Sequence, residues 1–341
     1  MTGHHDKAER TPVDAVIMWV DGDDPLLAEK RNSYIKKDNL RPGHTGTIST
    51  RFASSNEIRY CVLSILRFAS FVRNIFIVTD GQDPQLNDEV EKYHPGRSSS
   101  IRIVDHREIF RGYEKFLPSF NSTSISTMLW RIEGLSENFV CFSDDVFLVR
   151  EINYEDWFIE NSSVIRGYWR LPPLRKLLGN SLRTFIRRRL KGEHDFQPRI
   201  SFYIRQWKAA HLLGQRFRYY FHCHTPHPAN RTEIEKYFDK EPGILEKNIA
   251  FRFRDTDQFL LTALSYHLEI LAGNRNFDRL DLVYIHPYYS EKRLARKINE
   301  CRNNKKIKFL CVQSLEMLST DIQQEVLSLM DEVLGEGGKE V

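Results

Sequence analysis

Long apolar runs, paired cysteines and a targeting segment are all missing from this chain. No stretch of about 18 apolar residues occurs in its 341 positions, so no transmembrane helix is expected. The five cysteines (Cys61, Cys141, Cys223, Cys301, Cys311) are scattered, with no CxxC pair. Such a set suggests free thiols in a reducing compartment. Residues 1–12 are polar and lack the apolar core of a signal peptide, so a disordered leader and a cytoplasmic location are expected. No internal repeat is visible, and 335–341 reads as a frayed tail. Acidic charge is missing from one long segment. Between Glu160 and Glu193 there is none, while nine basic residues (Arg166, Arg170, Arg175, Lys176, Arg183, Arg187, Arg188, Arg189, Lys191) alternate with aromatic and aliphatic ones.

What is present suffices for a sizeable core. Hydrophobic content is 41%, and the net charge of +4 is modest. The length suits one large α/β domain with insertions, here 13–334, as well as it suits two average domains. Asp14–Val20 reads as a buried strand closed by Asp21-Gly22-Asp23-Asp24-Pro25, with a charged helix from about Leu26 to Lys37. Asn39–Thr50 reads as a loop. Ser54 and Glu57 stand at capping-box spacing, and Ile58, Val62, Ile65 and Ala69 recur at helical period. Asn74–Thr79 and Ile101–Val104 are further strands, separated by a short helix at Leu86–Tyr93. Residues 121–133 read as a helix. Phe196–Tyr220 looks helical and aromatic, Phe251–Ala272 opens with charge and continues as a helix, and Val312–Leu334 reads as an amphipathic helix pair.

Strands alternating with helices predict a mostly parallel sheet. The stretch around which the chain is organised is Phe139–Leu148, an apolar run interrupted once, by Asp144-Asp145. Two adjacent carboxylates at a strand end form either a solvated turn or a cation site, since burying them unpaired is costly. Asp21, Asp80 and Asp105 end the other strands, and ligands of open α/β sheets bind outside those ends. The basic segment admits three readings: a solvated helix, a helix lying on an anionic membrane, or a binder of polyanions. His222, His224 and His227 invite a zinc reading, but no cysteine pair stands near to complete four ligands.

These motifs, taken in order, resemble the conserved blocks of the Stealth family. That family includes bacterial capsular polysaccharide phosphotransferases and the catalytic subunit of the lysosomal-enzyme N-acetylglucosamine-1-phosphotransferase. Asp14–Gly22 resembles the first block. The second resembles Arg51-Phe52, Asn56–Tyr60, Ile77–Gln82, Leu117–Ser122, Arg131–Ser136 and Asp144–Phe147. His224–His227 with Phe253-Arg254 and Asp257 looks like the third, and Val312–Leu315 like the fourth. Ser143 departs from the family's usual asparagine before the acidic pair, and 161–200 matches no block.

The resemblance implies transfer of a hexose 1-phosphate, of the N-acetylhexosamine kind, from a UDP-sugar to a glycan hydroxyl with release of UMP, in capsule or cell-surface polysaccharide synthesis. It implies a Rossmann-like, GT-A-like nucleotide-sugar sheet with C-terminal helices from about 312, and the unmatched 161–200 is expected as a basic helical insertion into it. Magnesium or manganese would be held by Asp144 with Asp257. Arg254 would clamp the developing phosphoryl charge, and Asp145 or His224 would be the base. Asp21, Gly22, Thr79 and Asp80 would hold the nucleotide, with Arg59, Asn121, Ser122 and Arg131 on the sugar-phosphate side. The expected partners are a donor like UDP-N-acetylglucosamine, a polysaccharide acceptor, and an anionic membrane met peripherally through 166–191; no nucleic acid is expected. Two rivals remain: a metal-dependent glycosyltransferase releasing UDP, and a non-catalytic basic surface-binding protein.

Overall fold

The computed structural model describes residues 10–37, 56–193, 196, 198 and 200–335. The Ser54 cap, Arg51-Phe52, the loop over 39–50, most of the leader and all but Gly335 of the tail lie outside them. Four parallel strands form the centre: β1 (Val13–Met18), β2 (Val72–Thr79), β3 (Ile101–Asp105) and β4 (Asn138–Ser143). After a two-residue turn comes β5 (Val146–Leu148), followed by β6 (Tyr168–Arg170), β7 (Tyr219–Phe221), β8 (His227–Asn230), β9 (Leu282–Ile285) and β10 (Phe309–Val312). The main sheet runs β8-β4-β1-β2-β3, with β8 antiparallel on the β4 edge. A second sheet runs β9-β10-β5.

Strands covered on both faces read as apolar runs, as Ala15–Met18 of β1 and Phe139–Phe142 of β4 do. Their side chains alternate between two layers. Ala15, Ile17, Ile75, Ile77, Val140 and Phe142 pack into one core cluster, and Val16, Phe76, Val78, Val104, Phe139 and Cys141 into the other. The Glu57–Phe68 helix covers the first layer, with Ile58, Val62, Ile65 and Ala69 all at most 1% exposed, as their period predicts. The Glu291–Asn303 and Thr320–Leu334 helices share that layer, and the Arg231–Lys240, Pro242–Ile249 and Leu261–Leu271 helices cover the opposite one. The mostly parallel sheet with helices on both faces is the architecture the strand–helix alternation predicts.

Four expected helices are shorter or differently built. In 121–133 only Ser122–Ser126 is α-helical, followed by a 3-10 turn at Leu129–Arg131. Ser126 and Thr127 turn their hydroxyls onto the Thr123 carbonyl, a local bond that competes with helix continuation. The aromatic segment 196–220 yields a helix only over Phe202–Leu212, because its last residues pair as β7 with β6. Residues 251–260 stay irregular, and the helix waits until Leu261. There Gln258 donates to the Asn248 carbonyl at 2.7 Å, and Asn248 accepts from the Phe259 N–H at 3.0 Å. Val312–Leu334 is a strand end, a 3-10 turn and one helix, since Val312 closes the β9–β10 ladder.

Candidate active site

In register, Met18 of β1 lies beside Val78 of β2 and Ser143 of β4, and Thr79 lies beside Asp105 of β3. The C-terminal ends of four parallel strands therefore share one edge, where α/β sheets bind ligands. A cleft of about 1330 Å³ opens there. Its lining includes Trp19, Val20, Asp80 and His106 from the strand ends, the carboxylates Glu57, Asp144 and Asp145, Ser122 and Arg254, and an aromatic wall containing Phe202, Tyr203, His224 and Tyr284.

Asp144 and Asp145 are the turn between β4 and β5, and so the seam between the two sheets. The Val312 N–H donates to the Asp145 carbonyl at 3.0 Å and pins the turn to β10. Burial, then the neighbouring charges of Asp145 and Glu57, push the Asp144 carboxyl well above its ordinary range. Burial and Glu57 raise Asp145 to about 7, against the opposing pull of Arg254. The turn therefore concentrates negative charge in a desolvated place, the condition that a divalent cation relieves. Among the described residues no group of three or more His, Cys, Asp or Glu side chains stands ready to hold a metal ion. Magnesium nevertheless suits hard carboxylate oxygens when substrate phosphates and water complete its shell. The donor set at Asp144 and Asp145 fits a cation carried with a diphosphate.

Arg254 donates to the Ser122 hydroxyl at 2.5 Å, which aims the guanidinium from the 251–260 loop into the cleft. His224 is stacked between Phe202 and Tyr284, with ring centroids 4.8 and 5.2 Å away. Burial, with His286 and Arg205 nearby, lowers it to about 4, so the ring is neutral at pH 7.

Of the site residues expected from sequence, the cleft brings together Asp80, Ser122, Asp144, Asp145, His224 and Arg254. The others have their own contacts away from its lining. Arg59 pairs with Glu89 and lies over Tyr60 at 4.8 Å. Arg131 donates to the Ile109 and Arg111 carbonyls, both at 2.7 Å. Asn121 caps the Ser122 helix and donates to the Phe251 carbonyl at 2.8 Å. The backbone N–H and C=O of Asp21, beside Gly22, are both tied to the Gln82 amide at 3.0 Å. Thr79 is fully buried, 3.5 Å from the same amide. Asp257 pairs with Lys208 at 3.0 Å, and its side chain is 68% exposed. Asp105 caps a helix start by accepting from the Arg107 N–H at 2.8 Å.

Sequence reasoning passed over Glu57, whose helix-start position already explained an acidic residue, and Arg205, hidden in a segment read only as aromatic. Arg205 is 8% exposed, donates to the Thr123 hydroxyl at 2.6 Å and lines the cleft. Trp19 Nε1, His106 Nδ1 and Ser119 Oγ, on residues lining the same cleft, are buried and find no hydrogen-bond partner among the described residues. Such orphans are uncommon and call for an explanation.

The zinc reading of the histidines gives way to ordinary hydrogen bonds. His222 Nδ1 donates to the Cys223 carbonyl at 3.2 Å, leaving Nε2 to accept from Thr262 at 3.0 Å, and His227 meets Tyr266 at 3.2 Å. Burial lowers His222 to about 3. Its folded pKa lies below the unfolded value near 6.5, so its contribution is fully present above that pH and is lost as pH falls. Unfolding then takes up a proton, at about 1.4 kcal/mol per pH unit. In His222→Gln the loss of stability between pH 6.5 and 4 should be shallower by that amount in urea melts. Parallel slopes would show that His222 is not buried neutral.

Residues 51–165 match the family model described as Stealth protein CR2, conserved region 2. A capsular polysaccharide phosphotransferase of Actinobacillus pleuropneumoniae is 38% identical over 153 residues, 45% of this chain and 40% of that protein. Two exopolysaccharide phosphotransferases of Streptomyces coelicolor align more widely. One is 32% identical over 267 residues, 77% of this chain and 26% of its own length. The other is 30% identical over 286 residues, 80% of this chain and 41% of its own. The chain thus spans less than half the length of these relatives. Among solved structures, the galactosyltransferase LgtC in complex with donor and acceptor sugar analogues superposes on 96% of this chain and 97% of its own at 10% identity, with a TM-score of 0.44. By the conserved region it carries and by these relatives, the chain belongs to the Stealth family.

Proposed function

We propose that this chain transfers a sugar 1-phosphate, of the N-acetylhexosamine 1-phosphate kind, from a UDP-sugar to a hydroxyl of a polysaccharide acceptor. The names of the relatives support the reaction class. The observation that carries the reading is the half-buried Asp144-Asp145 turn, which lines one cleft with Arg254 and His224. The acceptor oxygen attacks the β-phosphorus, the bond from that phosphorus to the α–β bridging oxygen breaks, and UMP leaves. Arg254, a planar donor fork, stabilises the phosphoryl oxygens as charge shifts onto them. Asp145 or neutral His224 takes the hydroxyl proton, each being unprotonated for part or all of the neutral range. A divalent cation at Asp144, when bound, would neutralise the diphosphate. The strand-end side of the cleft, with Trp19 and Asp80, suits the nucleotide, and the aromatic wall suits the apolar faces of sugar rings. Of the basic run 166–191, Arg166 is buried against Asp278 and takes no part, and the exposed cations after it make contact with an anionic membrane in this reading, at the inner face of a cell. No described helix is long and apolar enough to cross a membrane.

Bond position tests the proposal. A UDP-sugar labelled at the β-phosphorus should pass its label to the product, with UMP as the nucleotide released and the donor's anomeric configuration retained. Release of UDP with an unlabelled product would replace this reading with a metal-dependent glycosyltransferase, which breaks the anomeric carbon–oxygen bond.

A further inference from the structure

The acid-free segment builds one helix, Leu174–Phe185, and none of its side chains is buried. Its two faces differ. Lys176, Gly179, Asn180 and Arg183 line the cleft, so the polar face roofs the site. Leu174, Leu178, Leu182 and Phe185 recur at three- and four-residue spacing on the opposite face, and are 58, 70, 60 and 58% exposed. A globular helix ordinarily turns such a stripe into the core; this one turns it to solvent. The stripe does not end with the helix. Leu171, just before it, is 79% exposed, and Phe217 is 88% exposed. Arg170 pairs with Tyr219 in the β6–β7 ladder, which sets both of these residues at the same end of it. Gly167 is required at the base of that ladder, since a Cβ there would lie 2.2 Å from the Phe221 carbonyl oxygen.

We propose that the outer face of Leu174–Phe185 is an interfacial anchor that docks this chain on an anionic lipid bilayer, with the cleft opening at that surface. The apolar stripe supplies insertion, and exposed Arg175, Arg188, Arg189 and Lys191 supply attraction to anionic headgroups, about 1 kcal/mol for each residue near the surface. Charge alone would suit nucleic acid equally, but exposed leucines gain nothing from a phosphate backbone, whereas a bilayer buries them. The inference depends on the transferase reading only for the identity of the cleft.

Flotation of the full chain with vesicles, in the absence of nucleotide, tests docking apart from catalysis. The chain should float with vesicles containing 30% phosphatidylglycerol and not with pure phosphatidylcholine, and the binding should weaken in high salt. Leu178→Glu/Leu182→Glu, both outside the cleft lining, should lower binding at least about tenfold with an unchanged thermal midpoint. Arg175→Glu/Arg189→Glu should lower it several-fold. In vesicles with brominated acyl chains, the added emission of Leu178→Trp should be quenched and that of Asn180→Trp should not. Equal flotation of wild type and the glutamate variant would overturn the proposal. So would a dimer in light scattering that the glutamate variant splits without any vesicle binding, since the stripe would then join two copies of the chain. Docking with no UMP release from a UDP-sugar would leave the anchor standing and remove the transferase reading.

Discussion

Asp144→Asn should lower sugar-phosphate transfer by about 10³-fold, since losing a cation's hold on the diphosphate removes several kcal/mol of charge stabilisation. EDTA should match that loss in the wild type, and added manganese should restore the wild type but not the variant. The same substitution should leave the metal-free fold unharmed or firmer. Asp144 is half-buried beside Asp145 and Glu57, and each of those charges opposes its ionisation. An amide of the same shape removes that repulsion, so the thermal midpoint in EDTA should not fall. A dead and firmer protein is the signature of a site whose electrostatics serve the reaction rather than the fold. Full activity in EDTA would end the metal proposal, and a lower midpoint would assign Asp144 a structural duty.

Arg254→Lys should lower kcat by about 10²–10³-fold with little change in KM, because lysine offers a point charge in place of a planar fork that acts as charge develops. The loss should exceed that of Ser122→Ala, which removes only the hydroxyl that accepts from Arg254. A change under about threefold in both kinetic constants would take Arg254 out of the site. Arg252, two positions earlier, is no substitute by geometry. It donates to the Pro118 carbonyl at 3.0 Å and lies over the Tyr34 ring at 4.4 Å, outside the cleft lining.

Much of the main sheet was legible because a parallel strand buried on both faces has no polar alternation to obscure it. The placement of Asp80 and the Asp144-Asp145 pair at one edge followed from that. The second sheet was not legible. The strands Leu282–Ile285 and Phe309–Val312 are four residues each, too short for periodicity to separate them from loop or helix. Other polar residues, at strand ends and at helix starts and turns, are ambiguous for the opposite reason. Asp21 and Asp105 serve turns, Asn121 serves a cap, and Arg131 serves carbonyls. Each uses the chemistry that would also hold a nucleotide, and only burial and partners separate the two uses. Glu57 and Arg205 come to the cleft through tertiary packing of helices distant in sequence, for which no local pattern exists.

The seam at Asp144-Asp145 carries a consequence for biogenesis. Its turn leads into β5, whose ladder partner is β10, and Cys311 of β10 meets the Asp145 carboxylate from 166 residues downstream. A chain emerging from the ribosome can assemble β1 to β4, and β8 soon afterwards, from contacts already synthesised. The carboxylate turn gains its second wall only when residues 309–312 arrive. A contact so remote in sequence forms late, after the entropy of a long loop has been lost. An incomplete nascent chain therefore carries a folded edge of the main sheet and an unfinished carboxylate turn, and under the proposed reaction it stays idle until residues 309–312 dock.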